Sequence, residues 1–359
     1  MTSVPFERGM GIGGWLTNYK RFNVLPDAWR FPITIGDKEH FQTYITEWDV
    51  ENIASMGFDH IRVCFDQVVL EEAPGVYRDY IVTILRNFVD QCEKRGLAVV
   101  LNLHKSVGNY CDIYEEVTLL SSGALQDNFV SMWEYLEDVF SDKKDVWFEL
   151  LNEVRGTEAD AWNALASRTV KVLRAKNPTR GIVLGSACWN APGQLKNLVT
   201  FDDDNILYTF HCYDPFEFTH QRGVLQPQNL YYNRVMPYPC EDIERYNDYH
   251  RLVAGEECHY GARKAMDKSY LAEVLQPAFD FAAEHPGRVW CGEFGTIRHA
   301  PRESRENYMR DMISLLTSHS IPYSVWNYLS TPNDGNRFSL VDDDTRTLLG
   351  NFGSILLGR

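Results

Sequence analysis

The chain has 359 residues with 50 acidic against 35 basic, a formal net charge of −15, and an aromatic content of 13%. Basic residues nowhere cluster into a long run, which argues against nucleic acid or an anionic membrane as partner, because such affinity rests on Lys and Arg meeting phosphates. No apolar segment approaches bilayer-spanning length and no secretory signal is visible. The eight cysteines are scattered without a Cys-x-x-Cys pair, so reduced thiols and a cytoplasmic location are expected.

The stretch RGMGIGGWL at 8–16, which contains the first predicted strand, MGIGGWL, matches the dinucleotide-binding pattern through Gly9, Gly11 and Gly14. That pattern works only where the glycines follow one strand and open a helix whose amides hold a pyrophosphate. Here eight residues precede it, Pro5 weakens any strand among them, and an aromatic, proline-interrupted run follows. The glycines therefore belong to a strand with another task. Seven further apolar runs follow in chain order: FDHIRVCF, GLAVVLNLH, DVWFELLNE, GIVLGSACW, NILYTFHCY, RVWCGEFG and IPYSVWNYL. Each has the length and composition of a strand buried on both faces.

Amphipathic stretches alternate with these runs, beginning ITEWDVENIASMG, RDYIVTILRNFVDQCEKRG, LQDNFVSMWEYLEDVF and ADAWNALASRTVKVLRAK. A short QLKNLV follows, then KSYLAEVLQPAFDFAAEH, ENYMRDMISLLTSHS and TRTLLGNFGSILLG. Eight strand–helix units in one domain-sized chain predict an α/β fold, a (β/α)₈ TIM barrel over residues 1–359. A doubly wound sheet, the main rival, would need fewer strands and a working phosphate loop. One long insertion, Asp214 to about Asp267, separates the sixth strand from its helix and carries eight aromatic residues. Loops of this length are commonly lids or binding walls, with an oligomer contact or structural flap as the alternative.

In such a barrel the active site gathers at the C-terminal strand ends. Those ends supply Arg62, His104, Asn152 with Glu153, His211 with Tyr213, Glu293 and Trp326. Glu153 and Glu293 each close an apolar run, where an unpaired carboxylate is costly to bury. Two facing carboxylates can divide the cleavage of a glycosidic bond, one attacking the anomeric carbon and the other protonating the leaving oxygen. A structural salt bridge to Arg62 is the competing reading of either glutamate alone.

WFELLNE, YTFHCYDPFEFTHQ, VWCGEFG and YSVWNY, with the opening GMGIGGWL, resemble the strand-end signatures of glycoside hydrolase family 5 across nearly the whole chain. The resemblance implies a retaining mechanism with Glu153 as acid/base and Glu293 as nucleophile. It implies that Asn152 meets the sugar 2-hydroxyl, that Arg62 and Tyr213 hold Glu293, and that His104, His211 and Trp326 line the sugar subsite. Trp15, Trp189, Asn190 and His220, at or near strand ends, are candidate sugar contacts that packing could equally explain. Glu257 in the insertion is a candidate for a sugar hydroxyl, against a solvated surface position.

No His-Glu-x-x-His and no calcium-loop spacing occur, so neither a catalytic metal nor a cofactor is expected. Without an export signal the expected substrate is a short imported oligosaccharide, and the resemblance leans toward an exo-acting β-mannosidase, for instance on mannosyl-β-1,4-N-acetylglucosamine. β-Glucosidase or endo-β-1,4-glucanase is the alternative, and a non-catalytic carbohydrate-binding protein is the alternative of another class.

Overall fold

The computed structural model describes residues 4–17, 33–109, 117–156, 159–255, 259–331 and 334–358. Within them the apolar runs become eight strands: β1 (Arg8–Leu16), β2 (His60–Asp66), β3 (Ala98–Lys105), β4 (Val146–Glu149), β5 (Gly181–Gly185), β6 (Ile206–Cys212), β7 (Val289–Phe294) and β8 (Tyr323–Val325). They pair in parallel, neighbour to neighbour, and β8 returns to β1 to close the barrel. The predicted (β/α)₈ TIM barrel is the fold observed. Every residue of β2 and of β4 to β8 is buried, as strands must be when helices cover one face and the barrel interior fills the other.

The outer layer comprises α1 (Glu47–Met56), α2 (Asp79–Glu93), α3 (Gly123–Phe140), α4 (Ala159–Lys176), α5 (Lys268–Glu284), α6 (Arg302–Ser318) and α7 (Phe352–Leu357). Their sequences explain both position and limits. α2 buries Ile81, Leu85, Phe88, Val89 and Cys92, a stripe at helical spacing facing the barrel. α1 opens on a Thr46–Asp49 capping box and stops at Gly57, whose φ of 97° no other residue type adopts cheaply. Two expected helices are shorter than predicted. QLKNLV forms only part of a 3₁₀ turn, Pro192–Asn197, and TRTLLGNFGSILLG is helical only over Phe352–Leu357, because Arg346 and Gly350 adopt left-handed backbone before it.

The barrel interior is layered. Phe6, Val100, Trp147, Val183, Leu207 and Trp290 form an apolar cluster separate from the main core. Alternate residues of a strand share a face, so two positions further along β3, β4 and β6 come Asn102, Glu149 and Thr209, all fully buried. The interior thus passes from an apolar plug to a polar layer, and then to the strand ends.

The insertion is folded rather than structureless. It contains helical turns at Phe216–Thr219, Pro227–Tyr232 and Ile243–Tyr249, the last continuing into a π-helical turn at His250–Ala254. Cys240 and Met266 exchange backbone hydrogen bonds of 2.8 and 2.7 Å across its base. Several of its aromatics, including Phe218, Tyr238 and Tyr246, are buried and continuous with the main core, Phe218 and Tyr238 packing on Tyr308. No helix among the described residues is long and apolar enough to cross a membrane.

Candidate active site

The polar layer is organised by Arg62. Its guanidinium is wholly buried, and burying a charge is tolerable only when every donor is paired. Nε and Nη2 donate to the two carboxylate oxygens of Glu149, at 2.6 and 2.8 Å. Nη2 also donates to Asn152 Oδ1 at 2.7 Å, and Nη1 donates to Glu293 Oε1. One planar cation from β2 thereby fixes groups from β4, from the segment after it and from β7. Glu149 is invisible to a reading of strand ends, since it lies inside the apolar run DVWFELLNE. The available signal was a charged residue within that run, an even number of positions before Glu153.

A bulge aims Glu293. Phe210 pairs with Cys291 but His211 pairs with Glu293, so β7 carries one extra residue, Gly292, between them. A Cβ there would press on Thr209 Oγ1 at 2.5 Å, which is why glycine stands at the extra position. Glu293 accepts from the Tyr213 hydroxyl through Oε2 at 2.7 Å. His211 Nδ1 lies 3.0 Å from Glu153 Oε1 and 3.7 Å from Glu293 Oε2. One oxygen from each glutamate and a ring nitrogen of His211 lie within 4.8 Å of one another. Glu153 itself adopts a φ of 43°, unusual for a non-glycine residue, just beyond β4.

The two carboxylates sit in different surroundings. Burial works to raise the Glu293 pKa, but His211, Arg62 and His104, together with the Tyr213 hydrogen bond, more than reverse it and hold it at about 2. His104 is itself pushed down to about 3, chiefly by burial. Tyr213 is raised, first by burial and then by the adjacent Glu293 charge, and so stays a donor. Glu153 is only partly buried. The three donor atoms could in principle hold a metal, but Arg62 already pairs with Glu293 and opposes a second cation there.

The remaining predicted residues divide. The rings of His104 and Trp326 lie parallel with centroids 5.5 Å apart, and His104 Nδ1 is 3.0 Å from Asn102 Oδ1. Trp326 fills room that β1 leaves for it, since a Cβ on Gly11 or Gly13 would meet its indole. Asn190 is fully buried, its amide 3.4 Å from His211 Nε2, so it supports His211 from within. Trp189, beside it, is 40% exposed on a left-handed backbone of φ 57°.

For two candidates the packing alternative is the one observed. Trp15 is 2% exposed; its indole N–H donates to the Phe41 carbonyl at 2.8 Å and its ring packs on Phe88, so it belongs to the core. His220 packs behind Tyr213, edge-on at 5.0 Å, and stacks on Phe216 at 4.0 Å. Glu257 lies outside the described residues.

Two carboxylates this close at a barrel mouth, the nucleophilic candidate held ionised, define a glycoside hydrolase of the retaining class, whose carboxylates stand about 5–5.5 Å apart against about 6.5–9.5 Å in inverting enzymes. The chain belongs to the cellulase family, glycosyl hydrolase family 5, whose family model matches residues 27–331. It is 32% identical over 364 residues to endoglucanase C of Acetivibrio thermocellus, covering 99% of each chain. It is 25% identical over 319 residues to cellodextrinase A of Ruminococcus flavefaciens, covering 88% of this chain and 83% of the relative. Among solved structures, an endoglucanase from Thermotoga maritima superposes with a TM-score of 0.72 at 23% identity, covering 98% and 97% of the two chains. The lean toward exo-acting β-mannosidases finds no support in these relatives, which favour the glucanase alternative.

Proposed function

We propose that the chain is an endo-β-1,4-glucanase that cuts β-1,4-linked glucan chains and cellodextrins with retention, the whole chain acting as one catalytic domain. The observation that carries this reading is the end-to-end match to an endoglucanase, 99% of both chains, combined with a complete two-carboxylate site. Glu293 Oε2 attacks the anomeric carbon as Glu153 gives its proton to the leaving oxygen. Glu153, now a carboxylate, takes a proton from water, whose oxygen attacks the same carbon and releases Glu293. Arg62 and Tyr213 keep Glu293 ionised and aimed. Asn152, fixed by Arg62, is placed to meet the 2-hydroxyl, and Trp326 with His104 lines the sugar subsite. Trp189 offers an exposed ring on which a further sugar can stack.

The test compares wild type with Glu293→Ala on carboxymethyl cellulose and on the p-nitrophenyl β-cellobioside, β-glucoside and β-mannoside. An endoglucanase lowers the viscosity of the polymer well before reducing ends accumulate, cleaves the cellobioside, and loses both activities in the variant. Turnover of the mannoside alone would overturn the glucanase reading, and activity surviving Glu293→Ala would remove that residue from the mechanism.

A further inference from the structure

Away from the barrel mouth, the insertion brings together Glu217, His250 and His259, from its first helical turn, its π-helical turn and the segment after it. One ligand atom from each lies within 4.8 Å of the others. We propose that these three residues form a divalent-metal site of zinc type, which pins the insertion to the segment following β6.

Three observations support it. Two imidazoles and one carboxylate are the donor set of borderline divalent cations such as Zn²⁺. Glu217 is 4% exposed; its Oε1 contacts His250 and accepts from the Tyr260 hydroxyl at 2.6 Å, while Oε2 is buried without a hydrogen-bond partner. A buried carboxylate oxygen without a donor is costly, and a cation supplies the missing partner. The neighbourhood is also anionic. Asp214, whose carboxyl accepts from Tyr270 at 3.1 Å, is raised first by burial and then, against that hydrogen bond, by the charge of Glu217. The catalytic cluster differs here, because its carboxylates already share Arg62.

His250 and His259 stack with ring centroids 3.7 Å apart and planes 8° from parallel. A coordinated metal lies in the plane of each imidazole, so binding requires one ring to turn, and the exposed His259 is the one with space to do so. Its exposure also provides the path by which an ion enters. Tyr260, bonded to Glu217, is the kind of outer partner that orients a carboxylate ligand. Because Glu217 follows Tyr213 closely and Thr219 donates to the Tyr213 carbonyl at 2.5 Å, the site would also brace the segment that carries Tyr213.

The experiment is equilibrium dialysis of the chelator-stripped full chain against Zn²⁺, with thermal unfolding followed in parallel, for wild type, His259→Ala, Glu217→Gln and Glu153→Gln. The expected result is one zinc per chain, a midpoint higher by about 4 °C at free zinc a hundredfold above Kd, and binding weakened by at least about tenfold in the first two variants. Glu153→Gln should bind as wild type does. His259 is exposed, so His259→Ala keeps its fold and reports on ligation alone. Absence of stoichiometric binding would overturn the proposal. So would binding lost in Glu153→Gln but kept in His259→Ala, which would place the ion at the barrel mouth.

Discussion

Replacing Tyr213 by Phe isolates one of the interactions that hold Glu293 ionised. The phenol oxygen is removed while the ring stays in its slot, edge-on to His220 at 5.0 Å and to Phe338 at 5.8 Å. What is lost is a 2.7 Å hydrogen bond to a buried carboxylate. A hydrogen bond to a charged group is worth about 1.5–3 kcal/mol, and one pKa unit corresponds to about 1.4 kcal/mol. The Glu293 pKa should therefore rise by about 1–2 units from about 2, while Arg62 keeps it below the usual 4.5. The sign follows from linkage. A depressed carboxylate contributes stability and activity fully above its unfolded value and loses them as pH falls through its folded value. The variant should lose both about 1–2 pH units sooner. The assay is kcat/KM for p-nitrophenyl β-cellobioside between about pH 2.5 and 6, with enzyme transferred from neutral buffer only for the initial rate. Wild type should stay flat to the lower end of the range, and Tyr213→Phe should fall with an apparent pKa of about 3–4. An acid limb that coincides with wild type, or moves the other way, would refute the role given to Tyr213.

Other consequences are equally direct. Glu149→Gln leaves the buried Arg62 short of its two-point partner, so stability should fall by about 3–5 kcal/mol in urea unfolding with an unchanged slope; a loss below about 1 kcal/mol would show the pair to be dispensable. Gly13→Ala drives a Cβ into the Trp326 indole, costing about 1–3 kcal/mol and raising KM for cellodextrins, with tryptophan fluorescence reporting the displaced ring. Glu153→Ala should lower kcat by about 10²–10⁴ on substrates with poor leaving groups. Azide should restore turnover of activated substrates and yield the β-glycosyl azide, because attack on the glycosyl-enzyme then needs no base. An α-product would contradict retention.

The barrel was legible because its strands are buried on both faces and so read as unbroken apolar runs. The two glutamates proposed for catalysis stood out because each ends such a run. For Trp15 and His220 packing is the alternative observed, because a strand-end position does not fix the side on which a side chain falls. The pairing of β1 with β2 shifts register between Ile12 and Leu16, and Gly14 sits at a φ of 72°, so the alternation breaks just before Trp15 and turns it toward Phe41 and Phe88. His220 follows a helical turn, Phe216–Thr219, which strand periodicity does not register. Glu149 escaped because its partner Arg62 is 87 positions away, a proximity only barrel closure creates. Substrate choice was not legible from the strand ends, since the residues that hold the two carboxylates serve the bond being broken and not the configuration of one hydroxyl.

The opening glycines show how a short pattern takes its meaning from surroundings. Gly9, Gly11 and Gly14 satisfy a phosphate-binding spacing, yet they lie within one barrel strand that continues to Leu16, and the first described helix begins only at Ile35. Among the described residues no helix N-terminus lies directly behind them to hold an anion. Their neighbours are rings instead: a Cβ at Gly9 would overlap His60, and one at Gly11 would stand 3.0 Å from the Trp326 indole. Close backbone approach is the physical demand in both contexts, since only a residue without Cβ lets a flat group lie against the chain. In a nucleotide fold that group is a pyrophosphate. Here it is the tryptophan beside His104, so the glycines bear on the chemistry by placing that ring where the proposed sugar subsite lies.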